Sequence, residues 1–135
     1  MSMQEHPNVT LVKEGYEAFD RQDIPWIQEH MAPDIVWHIG GTSKLAGAYT
    51  GMQEISELFA RQEKIFADSK IDVHDIVGND EHVIAIGAGT AQDPDGGSAE
   101  WKWGNVFHVK DGKITEVWGL SEDATAIDRL IDKLA

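Results

Sequence analysis

The feature that most constrains this chain is a change of period near Asp68. Up to that point apolar residues recur every three or four positions, the stripe of helices lying on a core; beyond it they alternate, the mark of half-buried strands. Val9, Val12, Tyr16 and Phe19 form the first stripe, with Asn8 as the expected N-cap. Asp23 is placed to cap a second, short helix carrying Pro25 in its first turn and burying Trp26, Ile27 and Met31, ended by Pro33. Asp34 to Ile39 reads as a strand, and a loop runs from Gly40 to Gly51. Thr50 and Gln53 have capping-box spacing ahead of a third helix whose Ile55, Leu58, Phe59, Gln62 and Phe66 share one face.

Four strand-like runs follow, Ile71 to Val77, His82 to Gln92, Ala99 to Val109 and Ile114 to Trp118, separated by turn clusters such as Asp111-Gly112. Ser121 is the expected N-cap of a last helix burying Ile127, Leu130, Ile131 and Leu134. Helices segregated from strands in this order predict an α+β fold, with N-terminal helices packed on a curved antiparallel sheet and a hollow where the sheet curls away.

The length of 135 residues fits a single domain, 1–135, of which residues 1–6 are expected to be flexible. A hydrophobic fraction of 41% beside 26% charged residues is that of a globular protein. Eleven Lys and Arg against 24 Asp and Glu give a formal charge of −13, which repels phosphate backbones and anionic lipids. Nucleic acid and membrane partners are therefore not expected, and the absence of a signal peptide or apolar span predicts a cytoplasmic location. With no cysteine, disulfides, thiolate metal sites and a cysteine nucleophile are all excluded.

Several motif matches fail on context. Gly87-Ala88-Gly89 sits inside a strand pattern with no following helix, and Asp93-Pro94-Asp95-Gly96 lacks the later ligands of a calcium loop. The histidines at 6, 30, 38, 74, 82 and 108 form no local metal-binding pair, so any metal site would have to be assembled from distant segments, and none is expected.

What remains is a constellation around the strand Ala99 to Val109. Alternation sets Ala99, Trp101, Trp103, Asn105, Phe107 and Val109 on one face, which must turn inward. An inward amide among aromatics needs a hydrogen-bond partner, either the protein itself or a ligand. Trp101, Trp103 and Phe107 are expected to be walls of a small-molecule pocket, or else solid core. On the first strand only one of Trp37 and His38 can face the hollow; His38 is favoured, as a base whose proton transfer Asn105 would support by steadying developing charge. Tyr16 and Trp26 are candidate ligand contacts as well as core residues. Trp118 and Asp123 are placed to close the mouth, although Asp123 equally fits a first-turn helix charge.

The stretches Tyr16-Glu17-Ala18-Phe19-Asp20-Arg21-Gln22-Asp23, Ala32-Pro33-Asp34-Ile35-Val36-Trp37-His38, Leu45-Ala46-Gly47-Ala48-Tyr49-Thr50-Gly51 and Phe107-His108-Val109-Lys110-Asp111-Gly112-Lys113-Ile114 resemble SnoaL-like proteins of the nuclear transport factor 2 superfamily. The resemblance implies a cone-shaped α+β barrel, a homodimer formed through the sheet, and cofactor-free chemistry of the kind carried out by polyketide cyclases, ketosteroid isomerases and epoxide hydrolases. It also puts His38, or Ile39 in a match begun at Ala32, where ketosteroid isomerases carry their proton-shuttling Asp. Asn105 falls at their oxyanion-donating Asp, and Gly15 rather than Tyr16 at their oxyanion Tyr. Glu122 or Asp123 is the counterpart of an acidic residue near the last strand of SnoaL-like cyclases. The function this implies is a cofactor-free isomerase, cyclase or lyase acting on a small hydrophobic carbonyl compound; the alternative is a non-catalytic ligand-binding or dimerisation module.

Overall fold

A computed structural model describes residues 5–122 and 124–135. The elements run α1 (Pro7–Asp20), α2 (Ile24–His30), β1 (Met31–Ile39), β2 (Gly47–Thr50), α3 (Gly51–Ile65), β3 (Lys70–Gly78), β4 (His82–Gln92), β5 (Ser98–Lys110), β6 (Lys113–Ser121) and α4 (Ala124–Leu134). The six strands form one curled, open sheet in the order β2-β1-β6-β5-β4-β3. All pairings are antiparallel except β1 with β6, so the sheet is mixed rather than purely antiparallel. Helix α3 and the three strands after it separate β1 from β6 in sequence, leaving ample chain for a parallel return.

Local chemistry departs from expectation at several ends. The N-cap of α1 is His6, whose Nδ1 accepts from the Asn8 backbone N–H at 3.1 Å. Asn8 instead sends its side-chain amide to the carbonyls of Asn79 and Asp80, tying α1 to the β3–β4 turn. Asp23 does cap α2, accepting from Trp26 N–H at 3.2 Å. Thr50 makes no side-chain cap bond; its own N–H donates to the Glu54 carboxylate, one position beyond the expected Gln53. Pro33 lies within β1, and the expected loop contains the edge strand β2, where the Tyr49 hydroxyl donates to the Leu45 carbonyl at 2.6 Å. Ser121 ends β6 instead of capping α4.

The β5–β6 hairpin turns on Asp111 (φ 53°) and Gly112 (φ 74°), the doubly left-handed backbone of a two-residue turn. It sets the register Asn105 opposite Gly119 and Phe107 opposite Val117. Two cores result. One joins α1, α2, α3 and the sheet through Val12, Ile27, Ile35, Ile55, Val83, Phe107 and Val117. The other joins α3 and α4 through Leu45, Leu58, Ile65, Trp101, Leu130 and Ile131. No helix among the described residues is long and apolar enough to cross a membrane.

Candidate functional site

Register puts side chains abreast across the curl. Ile39, Gly119, Asn105 and Ala85 lie side by side on four strands, as do Trp37, Val117, Phe107 and Val83 in the next row. Both rows face the helices, and between them and α1–α3 a hollow of about 170 Å³ remains. A cavity of about 150 Å³ admits a benzene ring, so this one has room for a single-ring compound.

Aromatic side chains build the walls. Trp37 meets Phe59 of α3 edge to face at 5.2 Å and Phe107 at 6.1 Å, while Tyr16 meets Phe107 edge-on at 6.0 Å. Trp26 stacks on His30 at 4.1 Å and passes close to Gly15, where a side chain would meet its ring at 3.5 Å. A broader groove of about 400 Å³ outside the cavity shares Phe19, Ile27 and Phe59 with it, and adds Asp20, Gln22 and Glu63 at a polar rim.

One polar couple sits inside. The Asn105 amide donates to the Tyr16 hydroxyl oxygen at 3.0 Å, leaving the phenolic proton free for a second partner. Burial pushes the Tyr16 phenol up to about 12, with the Asn105 hydrogen bond pulling the other way. The phenol is therefore a donor, not a base, at neutral pH. Its ordinary value is 10.0, so between about pH 10 and 12 the unfolded chain loses this proton while the folded chain keeps it. Stability is accordingly expected to fall as pH rises across that window, by an order of 2–3 kcal/mol in total. Alkaline denaturation of Tyr16→Phe should lack this component; an unchanged profile would mean the phenol is not buried as described.

The sequence-predicted site residues divide into four groups. Tyr16, Trp26, Asn105 and Phe107 line the cavity. Trp101 and Trp103 do not. Both face inward, but Trp101 is solid core against Phe66, and the Trp103 ring lies over Gly87, 6.1 Å from Tyr16, with its buried indole N–H lacking a partner among the described residues. His38 and Trp118 lie on the opposite face of the sheet, stacked with planes 7° apart, and the His38 Nε2 meets the Glu116 carboxylate at 2.6 Å. The pleat explains the correction: with Ile35 buried, Trp37 and Ile39 share its side and His38 must turn away. That imidazole is not among the described residues that line the cavity, so His38 and Asn105 do not act on a common point there. Asp123 lies outside the described residues.

Trp37, Phe59 and Gln62 also line the hollow and were not expected there. Gln62 carried a signal, since it is the one polar member of the apolar stripe on α3. Among the described lining residues there is no carboxylate and no imidazole. The arrangement can hold an uncharged apolar molecule and donate to one oxygen of it.

Known proteins agree with this architecture. Bal32a, from a soil-derived mobile gene cassette, is 26% identical, with 92% of this chain and 95% of that one covered and a TM-score of 0.81. An NTF2-like protein from Burkholderia xenovorans LB400 is 25% identical, covering 96% and 99%, with the same TM-score of 0.81. IdmH from Streptomyces antibioticus, a candidate polyketide cyclase, is 25% identical, covering 93% and 99%, with a TM-score of 0.69. No curated protein matches the chain. Residues 12–117 match the SnoaL-like domain, a span that holds every described wall of the cavity, and with its helices folded over a curled sheet the chain belongs to the SnoaL-like family of the nuclear transport factor 2 superfamily.

Proposed function

We propose that the cavity binds a small, uncharged, hydrophobic carbonyl compound, and that Tyr16 and Asn105 polarise its carbonyl oxygen. The observation that carries this reading is the Asn105–Tyr16 hydrogen bond inside a hollow whose other walls, apart from Gln62 and Gly15, are aromatic or aliphatic. A chain of donors from amide to phenol to ligand strengthens each link in a low-dielectric site. Such donors stabilise the oxyanion of an enolising or cyclising ketone, which is the contribution a cofactor-free isomerase or cyclase needs from its site. The polyketide-cyclase designation of IdmH supports the same class.

A second reading is binding without turnover. It is favoured by the lack of a carboxylate or imidazole among the described lining residues, since a proton-transfer enzyme needs a base within reach. Acetophenone, toluene and benzoate test the shared core of both readings, by titration against the fluorescence of Trp26 and Trp37. Acetophenone should bind most tightly, toluene more weakly for want of an oxygen, and benzoate least because no cation meets its charge. Equal affinity for toluene and acetophenone would remove the polar couple from recognition.

We further infer that a second copy of the chain covers the outer face of the sheet. Val77, Ile84, Ile86 and Leu120 lie exposed there on neighbouring strands, Ile86 at 44% and Leu120 at 60%, and clustered exposed apolar side chains of this kind mark interaction surfaces. Light scattering should report a dimer at micromolar concentration and a monomer for Ile86→Lys. A monomeric native chain would overturn the assignment.

A further inference from the structure

The outer face also brings together three metal-ligating side chains that lie far apart in sequence. We propose that Glu81, His82 and His108 form a binding site for a divalent transition metal ion, Zn²⁺ by preference, on the side of the sheet opposite the cavity. The register pairs His82 of β4 directly with His108 of β5, which aims both imidazoles to the same side, and Glu81 precedes His82 at the strand's start. One ligand atom from each of the three residues can be chosen so that all three lie within 4.8 Å of one another.

The backbone beneath them is held firmly. Asn79 accepts from the N–H groups of both Glu81 and His82 at 3.0 Å, and Val109 N–H donates to the Glu81 carbonyl at 2.9 Å. The chain therefore presents the three side chains from a fixed turn and a fixed pair of strands. Only the side chains need to adjust, which keeps the ordering cost of binding low. The chain's net charge of −13 adds a long-range attraction for cations.

Donor chemistry favours zinc. Two imidazole nitrogens and one carboxylate oxygen are a common three-ligand set for Zn²⁺, with water completing a tetrahedron. Ligand atoms on such an ion sit about 3.3 Å apart, given bond lengths near 2.0–2.1 Å. Spacing that now reaches 4.8 Å must therefore close by up to about 1.5 Å. The two rings now stack at 4.5 Å with planes 7° apart, so their in-plane lone pairs run side by side without meeting. Rotation of each half-buried ring about its Cβ–Cγ bond turns a nitrogen of each toward a point between them, near the exposed Glu81 carboxylate. Calcium and magnesium prefer an all-oxygen shell and are excluded by the same donor set.

Glu116 and His38 lie close by but are committed to each other at 2.6 Å. They are not ligands in this proposal. It is also independent of the cavity's function, because no residue of the three lines the hollow.

Titration of the untagged full chain with Zn²⁺ by calorimetry, and with Co²⁺ by visible absorption, tests the site. The native chain is expected to take up one ion per chain, with the intense absorption bands of tetrahedral cobalt. His82→Gln, His108→Gln and the exposed substitution Glu81→Gln should each weaken binding about tenfold or more, while His74→Gln on β3 should leave it unchanged. Glu81→Gln guards against misfolding, since its side chain is exposed. No saturable binding to the native chain, or native-like binding by both histidine variants, would overturn the proposal. So would cobalt spectra of purely octahedral, water-rich form.

Discussion

Replacing Asn105 by leucine is expected to weaken acetophenone binding about 5- to 150-fold, the span that corresponds to about 1–3 kcal/mol for a lost hydrogen bond that strands a buried partner. The phenol of Tyr16 would then lack the donor that fixes its oxygen and aligns its proton on the ligand. Tyr16→Phe removes the proton itself and should act in the same range. Because the two form one chain of donors, their effects should not add: in the Tyr16→Phe background, Asn105→Leu should cost less than it does in the native chain. His38→Ala is the control, since its imidazole lies across the sheet, and should leave affinity untouched. Additive losses would mean that Asn105 and Tyr16 act separately. A loss on His38→Ala would mean that the two faces of the sheet communicate.

This prediction rests on residues that period alone could identify. Strict alternation along β5 was enough to send Asn105 and Phe107 inward, and the stripe on α1 was enough to bring Tyr16 to meet them. The phase of β1 was a closer matter. Trp37 and His38 both suit a pocket chemically, but Ile35, Trp37 and Ile39 form the more apolar alternate set, against Asp34, Val36 and His38. That contrast in hydropathy, more than the chemistry of an imidazole, sets which face turns inward. Other features lay beyond any local pattern. The parallel pairing of β1 with β6 depends on where the chain returns, not on what either strand contains. The four-residue β2 is too short to show a period. Nor does alternation say whether an inward tryptophan borders a hollow or fills it. Trp101 and Trp103 face the same way as Asn105, yet they are met by α3, α4 and the neighbouring strand, so that end of the interior is solid.

The reason it is solid yields the largest stability effect expected in the molecule. Gly87 and Gly89 of β4 stand directly opposite Trp103 and Trp101 of β5, and each indole lies across its glycine. A methyl group on Gly87 would fall 2.1 Å from the Asp72 carbonyl oxygen of β3 and 2.4 Å from the Trp103 ring, and on Gly89 2.3 Å from the Trp101 ring. Such overlap cannot be relieved by a side-chain rotation alone, because the carbonyl belongs to the backbone of the next strand. Gly87→Ala should therefore lower stability by about 3 kcal/mol and the melting temperature by roughly 10 °C. Gly104→Ala on β5 is the matched control. Its methyl would find ordinary contact at 3.7 Å, so its stability should stay within about 0.5 kcal/mol of the native chain. Shrinking Trp103 to leucine in the Gly87→Ala chain should restore only part of the loss, since the clash with Asp72 persists. Because Trp103 neighbours Tyr16 at 6.1 Å, the displaced indole should also press on the phenol and reduce acetophenone affinity in a chain that still folds. Native-like melting of Gly87→Ala would show that the indole does not cover the glycine, and would reopen Trp103 as a wall of the cavity.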